Sequence, residues 1–196
     1  RPHHRGRESR MTGATGVRPV RPLKGYFGVG VEGISKAMNL GAILRTAHAF
    51  GASFAFTVDA HHKALDIFQS DTARSLKNVP YFGWDGIADM ALPEGCSLVG
   101  IELTEDAVDL PSFRHPRACA YVLGRERGSL TPDMQARCEH IVRIPTKFCV
   151  NVSVAAAITL YDRTLAMGGY PDRPLMPGGP ELGSPGSWDA PRVRRT

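Results

Sequence analysis

Six short apolar runs punctuate the middle of this chain, and polar stretches with helical spacing separate them. The runs cover residues 26–31 (YFGVGV), 53–58 (SFAFTV), 79–84, 97–103 (SLVGIEL), 120–123 and 141–144. Their length, their β-branched and aromatic content and their Gly or Pro boundaries predict strands. Helices are predicted over 40–50, 65–76 and 86–91, then after Thr131-Pro132, and from Asn151 to Arg163. Asn39 is read as the N-cap of the first, and Gly51 as its left-handed closing residue. Thr131 caps the fourth, with Pro132 at its first position. The last helix is apolar on nearly every face before Tyr161-Asp162-Arg163, which predicts a buried helix. Strands alternating with helices over residues 25–169 predict an α/β domain, with a mostly parallel sheet flanked by helices.

The ends break this pattern. Residues 1–24 carry Arg1, Arg5, Arg7, Arg10, Arg18, Arg21 and Lys24 against a single acid, Glu8. So little apolar content predicts a disordered basic arm. It either grips phosphates without sequence preference or is a solvated tail. Residues 170–196 interleave prolines with glycines and predict a disordered tail.

Composition narrows the class. The chain has 196 residues, 42% hydrophobic and 22% charged, enough for one ordinary core. No apolar run approaches the ~20 residues of a membrane helix, and the first residues lack the apolar core of a signal peptide. A cytoplasmic protein without membrane contact is therefore expected. The net charge of +5 suits a nucleic-acid partner and equally suits a merely basic surface. Cys96, Cys119, Cys138 and Cys149 form no C-x-x-C pair, so reduced thiols and no metal site are expected.

Chemistry concentrates in the last two strand–loop–helix units. Gly124-Arg125-Glu126-Arg127-Gly128 ends a buried run with two glycines around three charges. Glycine lets backbone groups approach a ligand, and Glu126 between two arginines can be held as an oriented carboxylate. Residues 145–150 (PTKFCV) lead into Asn151-Val152-Ser153 and an alanine-rich helix. Loops at the C-terminal ends of parallel strands are where α/β sheets bind ligands. On the early helix Arg45 stands above Gly41 and Ala42, which leave room beside the guanidinium. Gly28, Gly30 and Gly33 spell G-x-G-x-x-G, but the first two lie inside a strand and a basic arm precedes it, against a dinucleotide fingerprint. Glycines in a strand more often mark a close approach.

Taken together, Asn39-Leu40-Gly41-Ala42-Ile43-Leu44-Arg45-Thr46-Ala47 resembles the first signature of the SpoU (TrmH-like) RNA ribose methyltransferases of the SPOUT superfamily. Residues 121–130 resemble the second signature and 144–163 the third, while 103–110 (LTEDAVDL) resemble the connector of the tRNA-modifying branch. Cys149-Val150 stands where the third signature usually carries Ser-Leu, and the preceding loop lacks the usual glycine. The resemblance implies a SPOUT-type fold with a C-terminal trefoil knot, and a homodimer. It implies bent S-adenosylmethionine as cofactor and methyl transfer to a ribose 2′-oxygen of tRNA or rRNA. Carried over by position, Asn39, Arg45, Glu126, Asn151 and Ser153 are its functional polar residues. Ile101, Gly124, Ile144 and Val150 fall at its cofactor pocket, with Glu102 as the other candidate beside Ile101.

A 2′-hydroxyl must lose its proton as it attacks a methyl group in line. Guanidinium groups stay protonated in proteins, so Arg45 is read as an orienter of phosphate and developing alkoxide. Ser153, Asn151 or water then passes the proton on. An RNA-binding protein of the same fold without catalysis is the alternative. A nicotinamide-dependent oxidoreductase built on Gly28–Gly33 is a third, weaker reading.

Overall fold

The computed structural model describes residues 25–71, 79–125, 128–170 and 177–178. The arm over 1–24 and nearly all of the tail beyond Tyr170 lie outside the described residues. Seven parallel strands form one sheet. They are β1 (Tyr26–Glu32), β2 (Phe54–Val58), β3 (Tyr81–Trp84), β4 (Ser97–Ile101), β5 (Val108–Asp109), β6 (Ala118–Leu123) and β7 (His140–Arg143). Their spatial order is β3-β2-β1-β6-β4-β7-β5. The four helices are α1 (Ala37–Ala49), α2 (His62–Asp71), α3 (Pro132–Arg137) and α4 (Val152–Ala166).

The central strands are long apolar runs because both faces of the sheet are covered. Successive β6 residues divide between two cores, as the two-residue period of a strand requires. Cys119, Tyr121 and Leu123 join the layer holding Leu40, Ile43 and Ala47 of α1 and Ala156 and Leu160 of α4. Ala120 and Val122 join the opposite layer with Phe54, Phe56, Leu130 and Met134. Each large apolar side chain so buried contributes about 1.5–3 kcal/mol.

The glycines of β1 serve packing. A Cβ at Gly28 would lie 2.3 Å from the Phe54 ring, and one at Gly30 would lie 2.4 Å from the Phe56 ring and 2.5 Å from the Phe56 carbonyl. This removes the dinucleotide reading and bears out close approach.

Three local expectations are corrected. Asn39 does not cap α1: the helix starts two residues earlier, with extended Lys36 as N-cap, and the Asn39 amide already donates to the Lys36 carbonyl at 3.1 Å. Its side chain is used in a tertiary contact instead. The second helix begins at His62, three residues before the expected Leu65, and residues 72–76 of the expected helix lie outside the described residues. Residues 86–91 shrink to a 3-10 turn over Ile87–Asp89. Gly51 closes α1 with φ +72 as expected, and Thr131 caps α3 by accepting from the Met134 amide at 3.2 Å.

The C-terminal end of α4 is tied to β6 by a buried polar network. Arg163, 1% exposed, donates from Nη1 to the Pro116 carbonyl (2.7 Å) and the Tyr121 hydroxyl (3.2 Å), and from Nη2 to the Arg117 carbonyl (3.0 Å). Its guanidinium lies 5.0 Å from the Phe27 ring centroid. His115 Nε2 sits 2.9 Å from Asp162 Oδ2, and Nδ1 sits 2.6 Å from the Tyr121 hydroxyl. A carboxylate oxygen only accepts, so Nε2 carries the hydrogen and Nδ1 accepts from Tyr121. Burial holds the His115 ring below its ordinary pKa, with Asp162 opposing that shift.

Candidate active site

A cleft opens at the C-terminal ends of four adjacent strands, β1, β6, β4 and β7. From the N-cap and first turn of α1 come Lys36 and Asn39, and from the end of β4 come Ile101, Glu102 and Leu103. Leu123, Gly124, Arg125 and Gly128 follow β6, while Ile144, Thr146, Val150 and Asn151 follow β7. Strand order explains the convergence: parallel neighbours deliver all their following loops to one edge. Ile101 and Ile144, each 8% exposed, form apolar walls with Leu123 and half-buried Val150.

Polar groups line the other side. Asn151 caps α4, its Oδ1 accepting from the Ser153 amide (2.9 Å) and the Ser153 hydroxyl (2.7 Å). Its Nδ2 donates to Asn39 Oδ1 at 3.3 Å, across 112 residues of sequence. Glu102 accepts from the Leu103 amide at Oε1 (2.8 Å) and from the Leu130 amide at Oε2 (2.7 Å). A Cβ at Gly124 would come within 3.0 Å of the Leu130 nitrogen and 3.1 Å of Glu102 Oε2, so a side chain there would crowd that bond. Arg125 lies across Gly33, where a Cβ would sit 2.6 Å from its Nε, and Gly33 has φ +64. The Arg125 Nη2 donates to Asp59 Oδ2 at 3.2 Å; both are solvent-exposed, so this pair fixes direction more than stability.

The fold thus brings together Asn39, Ile101, Gly124, Ile144, Val150 and Asn151. Ser153 stands one bond behind the cleft wall, on Asn151. Arg45 is exposed on α1 and is not part of the wall of this cleft. Glu126 lies outside the described residues. Sequence reasoning missed Lys36 and Thr146, which line the cleft, and Glu32, which holds the second loop from beneath. The available signal for Glu32 was a carboxylate closing an otherwise apolar strand.

The sequence profile of the SpoU rRNA Methylase family matches residues 27–161. This chain belongs to the SpoU rRNA methylase family. The matched span includes all four loops of the cleft. The chain is 30% identical over 152 residues to a protein named rRNA methyltransferase 1, mitochondrial, of Schizosaccharomyces pombe, covering 67% of this chain and 48% of that one. It is 30% identical over 137 residues to the 23S rRNA (guanosine-2'-O-)-methyltransferase RlmB of Neisseria meningitidis, covering 66% and 54%. The chain therefore spans about half the length of these relatives. Among solved structures, an AdoMet-bound rRNA methyltransferase from Sinorhizobium meliloti superposes with a TM-score of 0.62 at 23% identity, covering 72% of this chain and 56% of that one. That likeness establishes the SpoU-type α/β fold. Among the described residues, no helix is long and apolar enough to cross a membrane.

Proposed function

We propose that this SpoU-family chain is an S-adenosylmethionine-dependent RNA methyltransferase acting on a ribose 2′-hydroxyl of rRNA or tRNA. The observation that carries this reading is the convergence of segments from all three signatures on one cleft: Asn39, then Gly124 and Arg125, then Ile144 to Asn151. The cleft suits the cofactor chemically. Ile101, Leu123, Ile144 and Val150 offer apolar walls to a flat ring and a thioether-like chain, and open backbone at Gly124 accepts a close ligand. The cofactor supplies an electrophilic methyl group on sulfonium.

The protein's own residues supply orientation. Asn39 and Asn151 set each other's amide planes through their shared bond. The Ser153 hydroxyl spends its hydrogen on Asn151 Oδ1, which leaves its oxygen lone pairs available to accept from an incoming hydroxyl. Arg45 is assigned to a substrate phosphate and the developing alkoxide. Its distance from the wall of its own cleft favours a homodimer in which Arg45 serves a subunit boundary. The exposed Met38 (79%) and Val154 (46%), on α1 and α4, support burial against a second copy. A trefoil knot belongs to the same reading. Where the chain leaves β7, Arg143 donates to Asp109 Oδ1 of β5 (2.5 Å) and to the Thr104 and Glu105 carbonyls of the β4–β5 connection (3.4 Å each).

Calorimetry with S-adenosylmethionine and S-adenosylhomocysteine tests the cofactor, and failure of both to bind would sink the proposal. Transfer of labelled methyl to bulk RNA, lost in Arg45→Ala while cofactor affinity persists, separates an enzyme from an RNA-binding protein without catalysis. Ribose-methylation maps of rRNA and tRNA with and without the gene identify the substrate. Imaging of the full-length protein decides between the cytoplasm and the mitochondrion, which the fungal relative's name raises.

A further inference from the structure

We infer that Glu32 and Glu102 form a two-sided carboxylate clamp on the loop after β6, and that Glu32 is thereby a positioning residue for the cleft. The inference rests on the reading above for the identity of the ligand, though not for the clamp itself.

The geometry is specific. In the sheet β6 lies between β1 and β4. Glu32 is the last residue of β1, and Glu102 directly follows β4. Each side chain reaches to the returning end of the β6 loop and accepts hydrogen bonds from consecutive residues. Glu102 Oε2 takes the Leu130 amide at 2.7 Å. Glu32 takes the Thr131 amide at Oε2 (2.9 Å) and the Thr131 hydroxyl at Oε1 (2.6 Å). The loop departs at Gly124, lines the cleft with Gly124, Arg125 and Gly128, and returns at Leu130. Its exit is fixed by strand pairing and its return by the two carboxylates.

Glu32 is 1% exposed and is not part of the cleft wall, so ligand contact does not explain it. Helix capping alone does not explain it either. Thr131 already caps α3 with its own oxygen, and Glu32 adds the acceptor for that hydroxyl's hydrogen. Burying a carboxylate is costly unless its oxygens are engaged, and here two donors from one residue engage both. Anchoring the return of the loop at Leu130 and Thr131 lowers the cost of placing Gly128 against a ligand, which raises affinity.

Two readouts on the full chain test this. Hydrogen exchange reads the clamp without ligand: in Glu32→Gln the Thr131 amide should exchange about tenfold faster or more, with amides of β4 and α4 unchanged. Calorimetry with S-adenosylhomocysteine reads its consequence: affinity should fall about tenfold while the folded fraction is unchanged. Thr131→Val removes the hydroxyl arm and with it the cap on the Met134 amide; at the amide of position 131, read apart from that of Met134, it should show a smaller loss of the same kind. Combined with Glu32→Gln it should add less than its separate effect. If Glu32→Gln fails to fold, Thr131→Val decides alone. Unchanged exchange at Thr131 overturns the clamp, and faster exchange with wild-type affinity overturns its positioning role. A wild-type chain that binds neither S-adenosylmethionine nor S-adenosylhomocysteine overturns the functional reading and the positioning role, while exchange still decides the clamp.

Discussion

The two ends of α4 carry polar networks that differ in burial and in what they face. At the C-terminal end Arg163 and His115 are buried and engaged with backbone carbonyls, Tyr121 and Asp162. At the N-terminal end Asn151 is exposed, Ser153 half-buried, and the link to Asn39 is long at 3.3 Å. A buried network inside a core specifies one packing and is closed to an outside ligand. A network in a cleft wall lies within reach of a ligand. One helix therefore anchors the fold at one end and offers chemistry at the other.

Substitutions can break that contrast. The largest effect is expected from Arg163→Ala, which takes the guanidinium from the Pro116 carbonyl and the Tyr121 hydroxyl and empties the space beside Phe27. Stability measured by urea denaturation should drop by about 3–5 kcal/mol. Cofactor affinity of the folded fraction should stay within about threefold. Intact stability with lost binding would reverse the assignment of the two ends. Next comes Asn151→Asp, which keeps the cap oxygen and loses the donor to Asn39. Methyl transfer should fall about 100-fold, near 2.7 kcal/mol, with stability changed by less than about 1 kcal/mol.

Acid sharpens the contrast in a third way. The unfolded His115 ring titrates near 6.5, and the folded ring below that, because burial disfavours its charged form. Between the two values the unfolded chain binds the extra proton, so stability declines as pH falls below about 6.5 and levels off once the folded ring is charged. Thermal melts from pH 7.5 to 5 should show this decline, and His115→Gln should flatten it. The smallest effect belongs to Ser153→Ala. Its stability should stay within about 0.5 kcal/mol of wild type. Turnover should fall only several-fold if water substitutes for the hydroxyl, as single-turnover assays would show.

The same contrast marks what could be read from the chain. Central strands were legible because burial on both faces writes an unbroken apolar run, as in β6. The cleft's walls at Ile101, Gly124, Ile144 and Val150 were legible only through the signature resemblance. Asn39 was misread as a cap because local grammar favours that role, whereas its actual partner sits 112 residues away. Arg163 stood at the polar end of the last helix, and nothing in its neighbourhood reveals the carbonyls of Pro116 and Arg117. Glu32 left only a faint trace, a carboxylate closing an apolar strand, because the residue it holds, Thr131, lies 99 positions on. The two-residue β5 was too short to register as a pattern.

The strand order has a consequence for synthesis on the ribosome. β6 must enter between β1 and β4, and β7 between β4 and β5, after those neighbours have already been made. A nascent chain released before β7 would hold most of the sheet yet lack the third wall of the cleft. Ligand capture would then report that the last insertion had been completed, and a tight ligand would hold finished molecules in that state.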